Sequence, residues 1–236
     1  MEYNEFEKEF LVELEKNDIK NEININKFYD YMKLLLEWNE KINLTAIKDE
    51  KEFIIKHFID SLTIDKYIKN SKNLIDVGTG AGFPGVPLKL FNEELSVTLI
   101  DSVNKKIKVL NDIINKLELT NIQAIHTRAE DFAKENREQY DIAVSRAVAN
   151  MNTLVEYLIP FVKLNGIIIC MKGPNFEEEL NNSKKAISIL GGKVEKIESF
   201  YINEELERNI IIIRKVKETP KQYPRSQSKP LKEPIR

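Results

Sequence analysis

Apolar residues recur at the helical period over residues 3–16, where Tyr3, Phe6, Phe10 and Leu14 share one face and charges take the rest. The same spacing over 25–38 puts Ile25, Phe28, Met32, Leu35 and Leu36 on one side of a second helix. Asp49 followed by Glu52 predicts the cap of a third helix through Leu62, because an acidic side chain there accepts free N–H groups. At Asn73 the period changes. Leu74-Ile75-Asp76-Val77 reads as a strand, followed by a glycine-rich turn and a helix from about Pro84. Val97–Ile100 is a second strand and 103–117 a second helix. Short apolar strands recur near 122–126, 140–144 and 166–171, with helical patterns at 131–138, 151–163 and 176–190. Strands alternating with helices predict βαβ units and a mostly parallel sheet. The runs at 194–202 and 208–215 follow Gly191-Gly192 without a helix between them, so they predict an antiparallel hairpin at one sheet edge.

The fold class is therefore α/β, a doubly wound, Rossmann-like sheet with an N-terminal helical extension. The chain divides into a helical segment over 1–70 packed on the sheet domain, the sheet domain over 71–216, and a basic tail over 217–236. That tail holds Pro220, Pro224, Pro230 and Pro234 and reads as extended.

Composition narrows the chemistry. Cys170 is the only cysteine and lies in an apolar strand, and His57 and His126 are the only histidines. A disulfide framework, a cysteine-rich cluster and a histidine-based catalytic metal are excluded on that count. The acidic start, Met1-Glu2-Tyr3-Asn4-Glu5, lacks the apolar run of a secretory signal, and no stretch nears the roughly 20 apolar residues of a membrane span. The expectation is a cytoplasmic protein without membrane partners. Residues 1–70 carry 11 Lys against 16 Asp or Glu, net −5, whereas 214–236 carry 8 Lys or Arg against 2 Glu, net +6. A basic end of that kind suits a polyanion partner or a solvated tail equally well.

The candidate chemistry begins at Asp76-Val77-Gly78-Thr79-Gly80-Ala81-Gly82-Phe83-Pro84-Gly85, after the first strand and before the first helix of the sheet. Ligands of open α/β sheets bind there, where glycines admit close approach and a helix start offers N–H groups. The dinucleotide fingerprint wants a small residue at its third glycine slot, and this chain has Phe83. Asp101 closes the second strand, where its carboxylate can accept from both ribose hydroxyls. The acid-plus-G-x-G-x-G arrangement resembles the S-adenosylmethionine-dependent methyltransferases, with nicotinamide as the competing cofactor. Ala129 and Glu130, after the third strand, are candidates to hold an adenine, and Arg146, after the fourth, to pair with a carboxylate or orient an acceptor. The alternative for Arg146 is a structural partnership with Glu130 or Asp101.

For methyl transfer the acceptor dictates the residues required. Cytosine C5 needs an activated thiolate, which Cys170 in its apolar run does not offer. Exocyclic amines commonly go with an Asn- or Asp-Pro-Pro-aromatic stretch, and that place reads Ser145-Arg146-Ala147-Val148. An acceptor with a free lone pair, such as guanine N7, carries no proton and needs only positioning and electrostatics.

Five blocks in order then carry a resemblance. They are Trp38–Thr45 (WNEKINLT), His57–Leu62 (HFIDSL), Asp76–Gly85, Arg128–Asp131 (RAED) and Ser145-Arg146-Ala147. Together they resemble the bacterial ribosomal RNA small subunit methyltransferase G, or glucose-inhibited division protein B, family. The resemblance implies methyl transfer from S-adenosylmethionine to N7 of one guanine in the decoding region of 16S rRNA, within the small subunit or a precursor. It implies cofactor contacts at Gly78, Phe83, Ala129, Glu130 and Arg146, to which the glycine turn and the strand end add Gly80 and Asp101; Arg146 is also expected to act on the reaction by position and charge, with no metal required. A non-catalytic ribosome-assembly factor with a nucleoside pocket remains a third reading. The family's tail pattern appears as Tyr223-Pro224-Arg225 with Pro230, Lys232 and Pro234, but Ser228 stands where the pattern has Gly. Lys221, Arg225 and Lys232 could neutralise phosphates and Tyr223 could stack on a base. Folding back over the pocket is the tail's other reading. In the first block Asn39 and Asn43 could reach RNA, while Trp38, Ile42 and Leu44 read as packing, and His57 reads as a satisfied helix histidine.

Overall fold

Alternation along the strands shows how the sheet is covered. Leu74, Ile142, Val144, Ile169 and Met171 point into one core, and Ile75, Ala143, Ile168 and Cys170 into another on the opposite face. A sheet buried on both faces needs helices on both, and the chain supplies them. The structure, a computed structural model, describes residues 1–20, 23–69, 71–146 and 149–235. Ala147 of the fifth sequence block lies outside the described residues.

Seven strands, β1 (Asn73–Val77), β2 (Ser96–Asp101), β3 (Ile122–His126), β4 (Tyr140–Arg146), β5 (Val162–Lys172), β6 (Gly192–Ile202) and β7 (Leu206–Lys215), form one sheet in the order β3-β2-β1-β4-β5-β7-β6. All neighbours are parallel except β7, which runs antiparallel between β5 and β6, so the hairpin forms one edge as its spacing predicts. The order reverses between β1 and β4, which pair Asp76 with Val144. That reversal opens a crevice at the carboxyl ends of the strands.

Helices α1 (Tyr3–Lys16) and α2 (Ile25–Asn39) follow the apolar stripes. Asp49 caps α3 (Glu50–Phe53) by accepting from the Glu52 N–H at 2.9 Å. The third helix then departs from expectation: Ile54–Ile59 is π-helical before α4 (Asp60–Leu62). Widened turns of this kind free a backbone carbonyl for another donor, and Lys56 O accepts from an Arg146 Nη at 3.0 Å. The helices share one core with the sheet. Phe58 sits at its centre, its ring 5.2 Å from those of Phe28 and Phe53, 5.7 Å from Phe10 and 5.9 Å from Tyr31.

On the sheet, α5 (Gly85–Phe91) and α6 (Asn104–Lys116) join the first core, and α8 (Met151–Leu158) and α9 (Phe176–Ile189) the second. Two helical spans come out shorter than their patterns. The chain turns into β5 at Val162 instead of remaining helical to 163, and α7 is only Ala129–Phe132 instead of 131–138. Both are tertiary overrides, in which strand pairing and packing outweigh a locally helical pattern.

The tail is not extended. It folds back over α8, with a short helix α10 (Lys229–Lys232). Arg225 donates to both oxygens of the fully buried Glu156 at 2.7–2.9 Å, and Arg137 donates to the carbonyls of Thr219 (2.7 Å) and Tyr223. Ser228 has φ +56°, a left-handed backbone that glycine adopts without strain, which accounts for the Gly of the tail pattern. Among the described residues no helix is long and apolar enough to cross a membrane.

Replacing Phe58 by Ala removes the ring around which the helical segment packs. Urea titration should show a loss of about 3–5 kcal/mol, in the range for deleting a fully buried Phe, with one cooperative transition retained.

Candidate active site

The glycine turn is fastened from below and above. Beneath it, Asp76 is fully buried and its Oδ2 accepts from Thr79 Oγ1 (2.7 Å) and the Gly85 N–H (2.9 Å). Its Oδ1 has no partner among the described residues. Burial pushes this carboxyl up to about 7 despite those donors. Above, Tyr31 of α2 donates to Ala81 O at 2.6 Å. Gly78, Gly80 and Gly82 all have positive φ, and a Cβ at Gly85 would lie 2.3 Å from Leu99. Gly85 is therefore the close helix–strand glycine, two places beyond the slot where Phe83 stands. Counting from Gly78 alone misses it.

The turn opens onto a cleft of about 510 Å³ whose lining includes Gly78, Asp101, Ala129, Glu130 and Tyr157. Asp101 is pinned at the end of β2 by the Gly80 N–H on Oδ2 (2.9 Å) and the Val103 N–H on Oδ1 (2.8 Å). Each oxygen keeps a lone pair for a further donor. Glu130 is 4% exposed, and its Oε1 accepts from the Ser228 N–H at 3.2 Å. Volume, paired carboxylates and a glycine-lined floor suit a nucleoside. The residues thus fit S-adenosylmethionine: Asp101 for the ribose, Ala129 and Glu130 for the base, Gly78 for close approach, with Gly80 orienting Asp101.

Phe83 and Arg146 do not join that cleft. They meet in a second group, and here the structure corrects the reading of Arg146 as a partner of Glu130 or Asp101. Its Nη1 donates to Asp60 Oδ2 at 2.8 Å, its Nη2 to His57 Nδ1 at 3.0 Å, and it lies over the Phe83 ring, 5.1 Å from the centroid. Asp60 is 1% exposed and also accepts from Arg208 Nε at 2.8 Å. His57 stacks on Phe83, centroids 4.2 Å apart and planes within 5°. An Arg donor leaves Nδ1 no choice but to accept, so Nε2 carries the proton and donates to Thr45 Oγ1 at 2.8 Å. Asn39 in turn holds the loop carrying Thr45, its Oδ1 accepting from the Leu44 and Thr45 N–H groups. Trp38 donates to Asp112 at 2.8 Å. The first sequence block is thus a brace for His57, and Asn39 turns inward.

This group borders a second cleft of about 440 Å³ at the ends of β4, β5 and β7, lined by Ile47, Met171 and Gly173 with Lys56, Arg146, Lys172 and Arg208. Asp60 and Arg208 escape sequence reasoning altogether. The only signal was the position of Asp60 within the second block. Cys170 faces the core, and burial raises its thiol to about 12, so it supplies no thiolate. Of the tail residues, Arg225 is held by Glu156 and Tyr223 packs, partly buried, on the second core, while Lys221 and Lys232 are exposed.

Burial and the neighbouring Arg146 lower the His57 pKa to about 3. The unfolded imidazole titrates near 6.5, so stability from this group is full above about 6.5 and is lost as pH falls toward 3. Asp76, with its pKa raised, acts in the opposite sense across much of that window, so whole-protein stability isolates neither. The imidazole resonances of His57 in NMR spectra should stay in the neutral, Nε2-protonated form from pH 8 to pH 5, and titration within that range contradicts the geometry.

Comparison with known proteins gives the family. The model of the GidB family, described as rRNA small subunit methyltransferase G, matches residues 24–211. A ribosomal RNA small subunit methyltransferase G of Clostridium perfringens is 52% identical over 221 residues, 92% of each chain. A protein of the same name from Acetivibrio thermocellus is 52% identical over 216 residues, 89% of this chain and 88% of the relative. Among solved structures, P. horikoshii TYW2 in complex with MeSAdo superposes with a TM-score of 0.55 at 16% identity, covering 66% of this chain and 61% of that one. A putative rRNA-methylase from Clostridium thermocellum gives 0.52 at 17%, covering 70% and 98%. Those structural likenesses establish the Rossmann-like fold.

Proposed function

Because the chain belongs to the GidB family of rRNA small subunit methyltransferases G, we propose that it transfers a methyl group from S-adenosylmethionine to N7 of a guanine in the decoding region of 16S rRNA. The observation that carries the choice of acceptor is that both potential bases at the second cleft, His57 and Asp60, are already held by guanidinium groups. His57 has both ring nitrogens engaged, and Asp60 has both oxygens on guanidinium groups. Neither group stands unengaged in front of a substrate proton, and guanine N7 has no proton to give.

S-adenosylmethionine supplies a methyl on a sulfonium: N7 gives its lone pair to the carbon, the carbon–sulfur pair stays on sulfur, and the positive charge passes to the guanine ring. Asp101 and Glu130 orient the nucleoside end, and the rigid turn from Gly78 to Gly85 fixes its depth. Arg146, braced by Asp60 and His57, positions the acceptor, with Ile47 and Met171 offering apolar faces to a base. Lys56, Lys172 and Arg208 give the cleft the charge to receive a phosphate backbone. Exposed Lys221 and Lys232 add weaker, salt-sensitive contacts. The acidic N-terminal helices make a poor generic polyanion surface, so the substrate is the rRNA folded within the small subunit or a precursor.

A labelled-methyl assay on 30S subunits lacking the modification, with the product nucleoside identified by mass spectrometry, should yield 7-methylguanosine. A different methylated nucleoside overturns the acceptor, and cofactor binding without transfer to any rRNA overturns the activity. Asp101→Asn removes an anionic acceptor and should weaken S-adenosylhomocysteine binding at least about tenfold by calorimetry. Arg146→Lys keeps a cation but loses the fork, and should slow transfer at least about 100-fold while changing that affinity less than about threefold. Equal losses in both would return Arg146 to the cofactor side.

A further inference from the structure

The nucleoside cleft has a wall that the sheet domain does not supply. Ser228 and Leu231 line it opposite Gly78 and Asp101, although they lie about a hundred residues beyond Glu130 in sequence. Leu231 is 63% exposed, a large apolar side chain that joins Val77, Ile100, Val103 and Tyr157 in the lining of the cleft. Glu130 is nearly fully buried. The Ser228 N–H holds its Oε1, and Oε2 has no hydrogen-bond partner among the described residues.

The segment is fixed where it stands. Arg225 forks onto Glu156, Thr153 Oγ1 donates to Pro230 O at 3.0 Å, and Arg128 donates to Ser228 Oγ at 3.1 Å. Glu156, Thr153 and Tyr157 all belong to α8, so the latch and the cleft share one helix. A carboxylate as buried as Glu156 keeps its charge only if paired. The Arg225 fork is therefore a strong anchor.

We propose that residues 225–231 form a wall of the cofactor pocket, with Leu231 covering one face of the adenine and Ser228 setting Glu130 so that Oε2 accepts from the exocyclic amine. The tail is then part of the cofactor site, not an RNA arm. This rests on the methyltransferase reading and adds positioning residues to it. An adenine held on one side by the sheet needs an apolar surface on the other to leave water, and Leu231 is the apolar group that the tail brings to this lining.

The test uses the full chain and two probes, S-adenosylhomocysteine and 5′-methylthioadenosine, which share the nucleoside and differ in the amino-acid end. Leu231→Ser, at an exposed position, should leave the ligand-free melting temperature unchanged and weaken both probes by the same factor, about fivefold. Arg225→Gln releases the latch and should weaken both further, again in parallel. A merely structural role for Leu231 would move the melting temperature and leave the affinities alone, which overturns the proposal. Unchanged affinities in both variants overturn it as well, including the case where retention on 30S subunits falls instead, which makes the tail an RNA contact. In those cases a loss with Asp101→Asn keeps the nucleoside site intact. If the unaltered chain binds neither probe, the methyltransferase reading itself has failed.

Discussion

A carboxylate buried between two guanidinium groups organises this molecule. Asp60 comes from the N-terminal helical segment, Arg146 from the end of β4 and Arg208 from the start of β7. Such an arrangement is costly to desolvate and costlier to break, about 3–5 kcal/mol for the loss of one partner. Its consequence is geometric. The helical segment can dock on the sheet in only one register, the one that brings a guanidinium to each oxygen. Once docked, the segment places His57 against Phe83, Tyr31 on the glycine turn and Phe58 among its aromatic neighbours. The brace reaches back through Thr45 to Asn39, so side chains far apart in sequence are held by one chain of hydrogen bonds.

That constraint divides the carboxyl edge of the sheet in two. On the β1–β3 side lie the carboxylates Asp101 and Glu130, the acceptors proposed for a nucleoside. On the β4–β7 side, donors and cations dominate, with Asp60 already consumed. The glycine turn lies between them, with Gly78 in the lining of one cleft and Phe83 packed behind His57 and Arg146 of the other. The proposed pair, a sulfonium donor and a lone-pair acceptor, needs no proton relay across this boundary. Rate enhancement then comes from holding two reactants in line and from fixed charge, which rigid, fully paired side chains deliver without reorganisation.

The tail shows how charge alone misleads. A run of Lys and Arg at the end of a chain reads as a solvated or polyanion-seeking segment, and nothing in its own sequence tells which cation is spent internally. Arg225 is spent on Glu156, which in the sequence is one acidic residue on a helical stripe. Its burial follows from the packing of α8 beneath the tail, a contact between segments about 70 residues apart.

The local pattern by itself determined the elements and the sheet. The strands announce themselves because short continuous apolar runs suit a sheet covered on both faces, and the glycine turn because positive φ and close approach leave few residues to choose from. Asp101 and Glu130 were legible too, since topology puts strand ends at the crevice. Arg146 was legible as a residue but not as a partner. Only the tertiary structure decided that its guanidinium meets Asp60 and His57, that Gly85 makes the close approach, that the third helix widens into a π turn and that the tail closes over the nucleoside cleft. These are pairings between distant segments, and a one-dimensional period carries no information about which buried charge another will meet.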